Sequence, residues 1–204
     1  MGRVSDAKVK LMDAVMELIW TGSYGTTTID QICDKAGVKK GSFYYFFDSK
    51  AQLAWDAFDT SWKDKQVELD RIFSATVPPL ERLQKYCDFI YKTQCEASAK
   101  YGRVLGCPQF SLGCEVCTQE DALQKKIQSI LDYKQKYVES AIRDADAAGE
   151  IQAPDPGAKA RMIVAYCEGL LTQARIHNDV DILRDMTKGM RSILGVKDAE
   201  AEAV

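Results

Sequence analysis

The stretch Thr26–Leu53, TTTIDQICDKAGVKKGSFYYFFDSKAQL, holds two short helical patterns with almost nothing between them. Thr28 followed three residues later by Gln31 is a capping box, so a helix opens there, buries Ile29 and Ile32, and stops at Gly37. A second helix runs from about Lys40 to Phe47, and Ser49 with Gln52 makes another capping box that opens a longer one reaching about Phe73. The AGVK link is too tight for the first two helices to lie antiparallel, so they cross steeply and the second projects outward. That projecting segment, KKGSFYYFF, carries cations at its start, a small hydroxyl and a run of aromatics, which suits a DNA major groove.

Outward from this stretch, apolar residues recur at spacings of three and four, and no segment alternates with period two, so the expected fold class is all-α. A helix starting after Ser5 and burying Val9, Met12, Val15, Met16 and Ile19 precedes the motif and ends near Gly22 and Gly25. Beyond the turn at Ala75–Pro79, helices are expected over Leu80–Ala99, Val104–Val116 and Thr118–Ala148, the last capped by Thr118 with Asp121. APDPG breaks the pattern, and Asp155 before Pro156 starts a helix ending near His177. A final helix carries Ile182, Leu183, Met186, Met190, Ile193 and Leu194, and KDAEAEAV is a polar tail. This makes about nine helices: a three-helix head over residues 1–48 and a larger helical body over 49–204.

With 46% hydrophobic and 28% charged residues, the chain of 204 residues can bury a real core. The formal net charge of -3 argues weakly against a nucleic acid partner, but its distribution matters more. Lys39, Lys40 and Lys50 fall within twelve residues whose one acid is Asp48, a local basic edge on an acidic chain. No run approaches 18 apolar residues, and Asp6 and Asp13 interrupt any signal core, so a cytoplasmic location without membrane partners is expected. Seven cysteines in such a compartment are expected to be free thiols rather than a disulfide framework.

The stretch Thr26–Leu53 resembles the DNA-binding signature of the TetR family of bacterial repressors, a match covering about 45 N-terminal residues. The resemblance implies a homodimer that binds double-stranded operator DNA through the helix-turn-helix and answers an unidentified small-molecule effector. It implies that Thr27 and Thr28 meet a phosphate at the start of the second helix, and that Lys39, Lys40, Ser42 and Tyr45 face base edges or flanking phosphates. Tyr44 is expected on the DNA backbone, and Lys50 on another phosphate. Phe43 and Phe47 fit the family's apolar positions and are expected in the core. Lys39 stands where a serine is common, and Phe46 where many relatives carry a phosphate-contacting histidine, so Phe46 receives no DNA role. In TetR-like proteins the remaining helices form the ligand-binding and dimerising body, with Gly169, Ala174 and Gly189 permitting close helix approach. Trp55, Trp62, Phe89, Tyr91, Phe110, Tyr133 and Tyr166 are candidates to line its pocket.

In the segment GCPQFSLGCEVC, Cys107, Cys114 and Cys117 lie seven and ten residues apart, which on one helix puts the thiols within one face. Three readings stand open: a plain core stripe, a soft-metal site, and thiol chemistry. The metal reading lacks ligands, since the CEVC pair is awkward within a helix and the sole histidine is His177, and no metal is assigned. The segment is locally similar to electrophile-responsive members of the TetR family. That implies a redox or electrophile sensor at Cys107, with Cys117 matching a second cysteine and Cys114 lacking a counterpart.

An enzyme reading finds little equipment. GxxxxGK[ST], GxGxxG and HExxH are absent and one histidine offers no acid–base relay, so no catalytic residue and no cofactor are assigned. A cysteine-dependent detoxifying enzyme and a helical adaptor that grips protein rather than DNA remain the alternatives.

Overall fold

The computed structural model describes residues 2–196, the side chains of 2–5 excepted; the polar tail lies outside the described residues. Nine α-helices and one 3-10 turn are found among the described residues: α1 Gly2–Thr21, α2 Ile29–Ala36, α3 Lys40–Phe46, α4 Lys50–Ile72, α5 Pro79–Tyr101, α6 Pro108–Val116, α7 Asp121–Ala147, α8 Pro156–His177, the 3-10 turn Val180–Asp185, and α9 Met186–Leu194. The chain is all-α, with two compact units: residues 1–66 with 108–131, and residues 67–107 with 132–204.

In the first unit α1, α2 and α3 pack together around Leu11, Val15, Ile19, Ile32, Phe43 and Phe47, all buried. The inner face of α1 is Leu11, Ala14, Val15 and Ile19; Val9 is exposed, and Met12 and Met16 are half-buried. The expected stripe was set too far round the helix, because Val9 and Met12 instead line an open cleft of about 350 Å³ with Trp55, Asp56 and Asp59 of α4. Both capping residues of the motif act as expected on one side: the Thr28 hydroxyl accepts from the Gln31 amide at 3.2 Å, and the Ser49 hydroxyl from the Gln52 amide at 3.1 Å. The Thr28 box closes reciprocally, since the Gln31 side chain accepts from the Thr28 amide at 2.8 Å. Gln52 instead turns its amide to Asp56, so the second box stays half made.

In the second unit Gly102 takes a left-handed conformation (φ 69°), ends α5, and sends residues 103–107 on without helix. That is why α6 begins at Pro108 and not at Val104. In the first unit the Val116 carbonyl accepts from both Gln119 and Glu120, at 3.0 and 3.1 Å, which holds a turn there and delays α7 to Asp121; Thr118 is not its cap. Asp155 caps α8 by accepting from the Ala158 amide at 2.8 Å, with Pro156 in the first turn. The Asp179 carboxylate accepts from the Asp181 amide at 2.9 Å and tightens the next residues into the 3-10 turn, so α9 starts only at Met186. Leu183, Met186, Met190 and Leu194 are buried within this unit against α5 and α8. Arg82 is buried and satisfied by Asp144 at 2.5 Å and the Val77 carbonyl at 2.6 Å.

Candidate nucleic-acid interface

Gly37 makes the turn between α2 and α3. Its φ of 64° is left-handed, and the amides of Gly37 and Val38 close onto the carbonyls of Asp34 and Cys33 at 3.1 and 3.0 Å. The chain reverses within three residues and enters α3 at Lys40. Phe43 and Phe47 are 0% and 2% exposed and anchor α3, whereas Tyr44 and Tyr45 on its other side are 55% and 74% exposed. Lys39 and Lys40 are exposed, and Ser42 is half-buried. One face of α3 is thus sealed into the first unit and the other offers two phenols, a hydroxyl and two ammonium groups to solvent.

The electrostatics of that face are set locally. Lys40 forms an ion pair with Asp30 of α2 at 2.7 Å, and the hydrogen bond and charge of Asp30 raise the lysine's pKa. A phosphate would have to compete with Asp30 for this ammonium. Thr28, exposed, occupies the start of α2.

Two residues expected at phosphates are held elsewhere. Thr27 is buried and its hydroxyl donates to the Ser23 carbonyl at 2.6 Å. Lys50 turns back, donating to the carbonyls of Tyr24 and Thr27 at 2.7 and 2.8 Å, with its ammonium 4.1 Å from the Tyr24 ring centre. Burial lowers the Lys50 pKa, an effect that Glu115 and Glu120 oppose. Glu115 of α6 accepts from the Tyr24 amide at 2.7 Å and the Gly25 amide at 3.3 Å. Glu115 is a positioning residue that sequence reasoning missed: it lies 91 residues from Tyr24, and no local pattern marks the pairing.

The three cysteines singled out by spacing do not share one environment. Cys107 precedes α6 and is buried, while Cys114 and Cys117 are exposed. Cys117 donates weakly to the Cys114 carbonyl at 3.5 Å. Cys107 instead receives a hydrogen bond from Lys134 of α7 at 3.4 Å. Its loop is pinned by Gln94 of α5, whose side chain accepts from the Gly106 amide at 2.8 Å and donates to the Gly106 carbonyl at 3.1 Å. Gly106 has a φ of 69°, and a Cβ there would stand 3.4 Å from the Leu171 carbonyl. Among the described residues no three His, Cys, Asp or Glu side chains are grouped to hold a metal ion, and no helix is long and apolar enough to cross a membrane.

Comparison with known proteins places both units. Residues 11–55 match the family model for bacterial regulatory proteins of the tetR family, and residues 79–190 match the tetracyclin repressor-like C-terminal domain. The transcriptional regulator AcuR of Cereibacter sphaeroides is 29% identical over 187 residues, covering 89% of this chain and 82% of that protein. The crystal structure of a regulatory protein TetR from Rhodobacter sphaeroides is 27% identical and superposes with a TM-score of 0.81 over 92% of this chain and 98% of that one. Reduced NemR of E. coli shares the fold at a TM-score of 0.80 with 17% identity, over 95% of this chain and 100% of that one. With a helix-turn-helix whose projecting helix is sealed on one side and polar on the other, and with family matches across both units, the chain belongs to the TetR family and is a transcriptional regulator with an N-terminal DNA-binding helix-turn-helix.

Proposed function

We propose that this regulator is a homodimeric repressor, cytoplasmic and without enzymatic activity, that reads a near-palindromic operator and leaves it when a small-molecule effector or a modified Cys107 changes its conformation. The observation that carries the DNA reading is the division of α3 into the buried Phe43 and Phe47 and the exposed Tyr44 and Tyr45. Lys39, Lys40, Ser42 and Tyr45 face bases and flanking phosphates, while Tyr44 and Thr28 take the backbone. Thr27 and Lys50 are reassigned as positioning residues, because their polar atoms hold the loop that presents Thr28. In functional terms residues 1–48 are the reading head and 49–204 the regulatory body.

The dimer reading rests on α8. Met162, Ala165, Gly169, Thr172 and Ile176 recur at three and four residues and are all exposed, Ile176 by 73%. A Cβ on Gly169 would meet nothing, so a partner helix has room to approach. Ala174 is fully buried, and Gly189 is covered by Tyr166, so the other two small residues serve the protomer's own packing. The apolar residues of α9 likewise face inward, which leaves α8 as the larger part of the contact.

For release, Cys107 is bonded directly to Pro108 of α6, and α6 carries the Glu115 that fixes the Tyr24–Gly25 amides. A change at Cys107 that shifts α6 therefore disturbs the loop before α2. Where the signal is oxidation, Cys114 or Cys117, both exposed, is the partner of Cys107. The test is operator affinity measured on the DNA upstream of the chain's own gene: Lys40→Ala and Ser42→Ala weaken it, Ser42→Ala also relaxing sequence preference. A helical adaptor shows no sequence-dependent binding, and a detoxifying enzyme turns over the electrophile instead of retaining it.

A further inference from the structure

Three sulfur atoms meet inside the second unit, one each from α5, α8 and α9. Cys87, Cys167 and Met190 are 2%, 2% and 1% exposed. The Cys87 thiol donates to the Met190 sulfur at 3.6 Å, and Cys167 is hydrogen-bonded to Cys87. Because the Cys87 proton already points at Met190, the proton of the second bond belongs to Cys167, and the chain of donors runs from Cys167 through Cys87 to the thioether. That hydrogen bond, then burial and the charges of Cys87 and Glu168, push the Cys167 thiol well above its usual range, so this sulfur keeps its proton. Glu168, also buried, has Lys134 Nζ 4.0 Å from its Oε1. On the outer side stands Tyr166, half-buried, whose ring covers Gly189 and whose hydroxyl donates to the Asp185 carbonyl at 3.2 Å. The residue before Cys167 thus lies over the residue before Met190, and turning that one ring aside opens a way in.

We propose that Cys87, Met190 and Cys167 form a binding site for a soft monovalent cation, copper(I), which takes the place of the proton between the Cys87 and Met190 sulfurs. Thiolate and thioether are the soft donors that select this ion, whereas zinc would call for four ligands that the cluster does not supply. The exchange is balanced: the Cys87 S–H bond breaks, its proton leaves to solvent, an S–Cu bond forms, Met190 adds a lone pair, and copper stays in the +1 state. One positive charge replaces another, so the interior gains none. Losing the Cys167 proton as well would leave a net negative charge buried beside Glu168, which the low dielectric opposes. Cys167 therefore stays a thiol and hydrogen-bonds the new thiolate, a charge-assisted bond that holds the ligand in place. Two sulfurs that each stand about 2.3 Å from one ion are roughly 4.0–4.6 Å apart at angles between trigonal and linear. The 3.6 Å pair thus has to open by about 1 Å or less, a shift within reach of the flexible Met190 side chain. The site lies apart from Cys107 and does not depend on how that thiol is read.

The experiment titrates the reduced full-length chain with copper(I) buffered by bicinchoninate, without oxygen, and reads copper transfer, proton release and the sulfur shell by X-ray absorption. The parent protein carries Cys95→Ser, Cys114→Ser and Cys117→Ser, which removes the thiols that are not buried. It is expected to withdraw one copper per chain from the chelator and to release one proton for each. Cys87→Ser should abolish the transfer. Met190→Leu, close in volume and so expected to fold, should weaken it and remove one sulfur neighbour from the absorption spectrum. Cys167→Ala should weaken binding about tenfold through the lost hydrogen bond, and Cys167→Ser, whose hydroxyl still donates, should restore most of it. A parent protein that takes no copper from the chelator, or a Met190→Leu protein that binds as tightly as the parent with an unchanged sulfur shell, overturns the proposal and leaves the three sulfurs as core packing. Two protons released per copper would overturn the role given to Cys167.

Discussion

The recognition segment around α3 and the thiol segment around Cys107 are of similar length, yet they are built in opposite ways. The contacts that shape the helix-turn-helix proper, residues 28–47, are mostly local, while Lys50 reaches back 23 and 26 residues to Thr27 and Tyr24. The Thr28 box spans three residues, the two bonds of the Gly37 turn span three and five, and the buried Phe43 and Phe47 are one helical turn apart. Around Cys107 the partners come from α5, α7 and α8, at separations of 12 and 27 residues for Gln94 and Lys134. A surface that must project outward is specified by its own sequence, whereas a buried polar cluster is specified by the fold that surrounds it.

The comparison breaks most readily at the two sides of α3. Phe43→Ala removes a fully buried ring and should cost about 3–5 kcal/mol, enough to lower the melting temperature of the first unit by many degrees. Tyr45→Ala, two residues further on and on the open side, should leave the melt within about 0.5 kcal/mol of wild type while weakening operator binding. Equal losses of stability in the two variants would mean that the faces are not divided as described.

Lys50→Met removes two charge-assisted hydrogen bonds to main-chain carbonyls and should cost about 1–3 kcal/mol by chemical denaturation, together with some operator affinity. If the affinity falls and the stability does not, Lys50 leaves the loop in the complex and meets a phosphate directly. Gly37→Ala should cost about 1 kcal/mol, because a Cβ is strained at this positive φ although no neighbour obstructs it. The smallest effect is a gain: Asp30→Asn frees Lys40 and should tighten binding at low salt by a factor of up to about five, the range of an exposed ion pair. An unchanged affinity would remove Lys40 from the phosphate contacts.

The same contrast explains what was legible beforehand. The helix count, the Thr28 box and the Gly37 stop follow from local spacings and capping residues, which a helix converts directly into contacts, and the Phe43/Phe47 anchor from the resemblance to the TetR family's apolar positions. The face of α1 was misjudged because Val9 and Leu11 are equally apolar, and only the packing of α2 and α3 decides which of them is buried. Thr27 and Lys50 carry groups fit for phosphate, but loop closure between α1 and α2 claims them, and that geometry is not written in either residue's neighbours. The spacing of Cys107, Cys114 and Cys117 implied one face of one helix. The left-handed Gly102 and Gly106 keep the chain out of helix until Pro108, so Cys107 falls outside the helix that carries Cys114. Lys134 and Glu168 gave no signal at all, since a lysine and a glutamate on amphipathic helices read as solvated charge.

The central claim is that two copies of α3, held by an α8-based dimer, read two half-sites about one DNA turn apart, roughly 34–36 Å. It is tested most directly by measuring affinity for the native operator and for the same operator with about five base pairs, half a turn, inserted between its half-sites. The account predicts that the insertion lowers affinity about a thousandfold, to the level of unrelated DNA at the same salt, because only one α3 can then engage. Affinity that survives the insertion unchanged would contradict it.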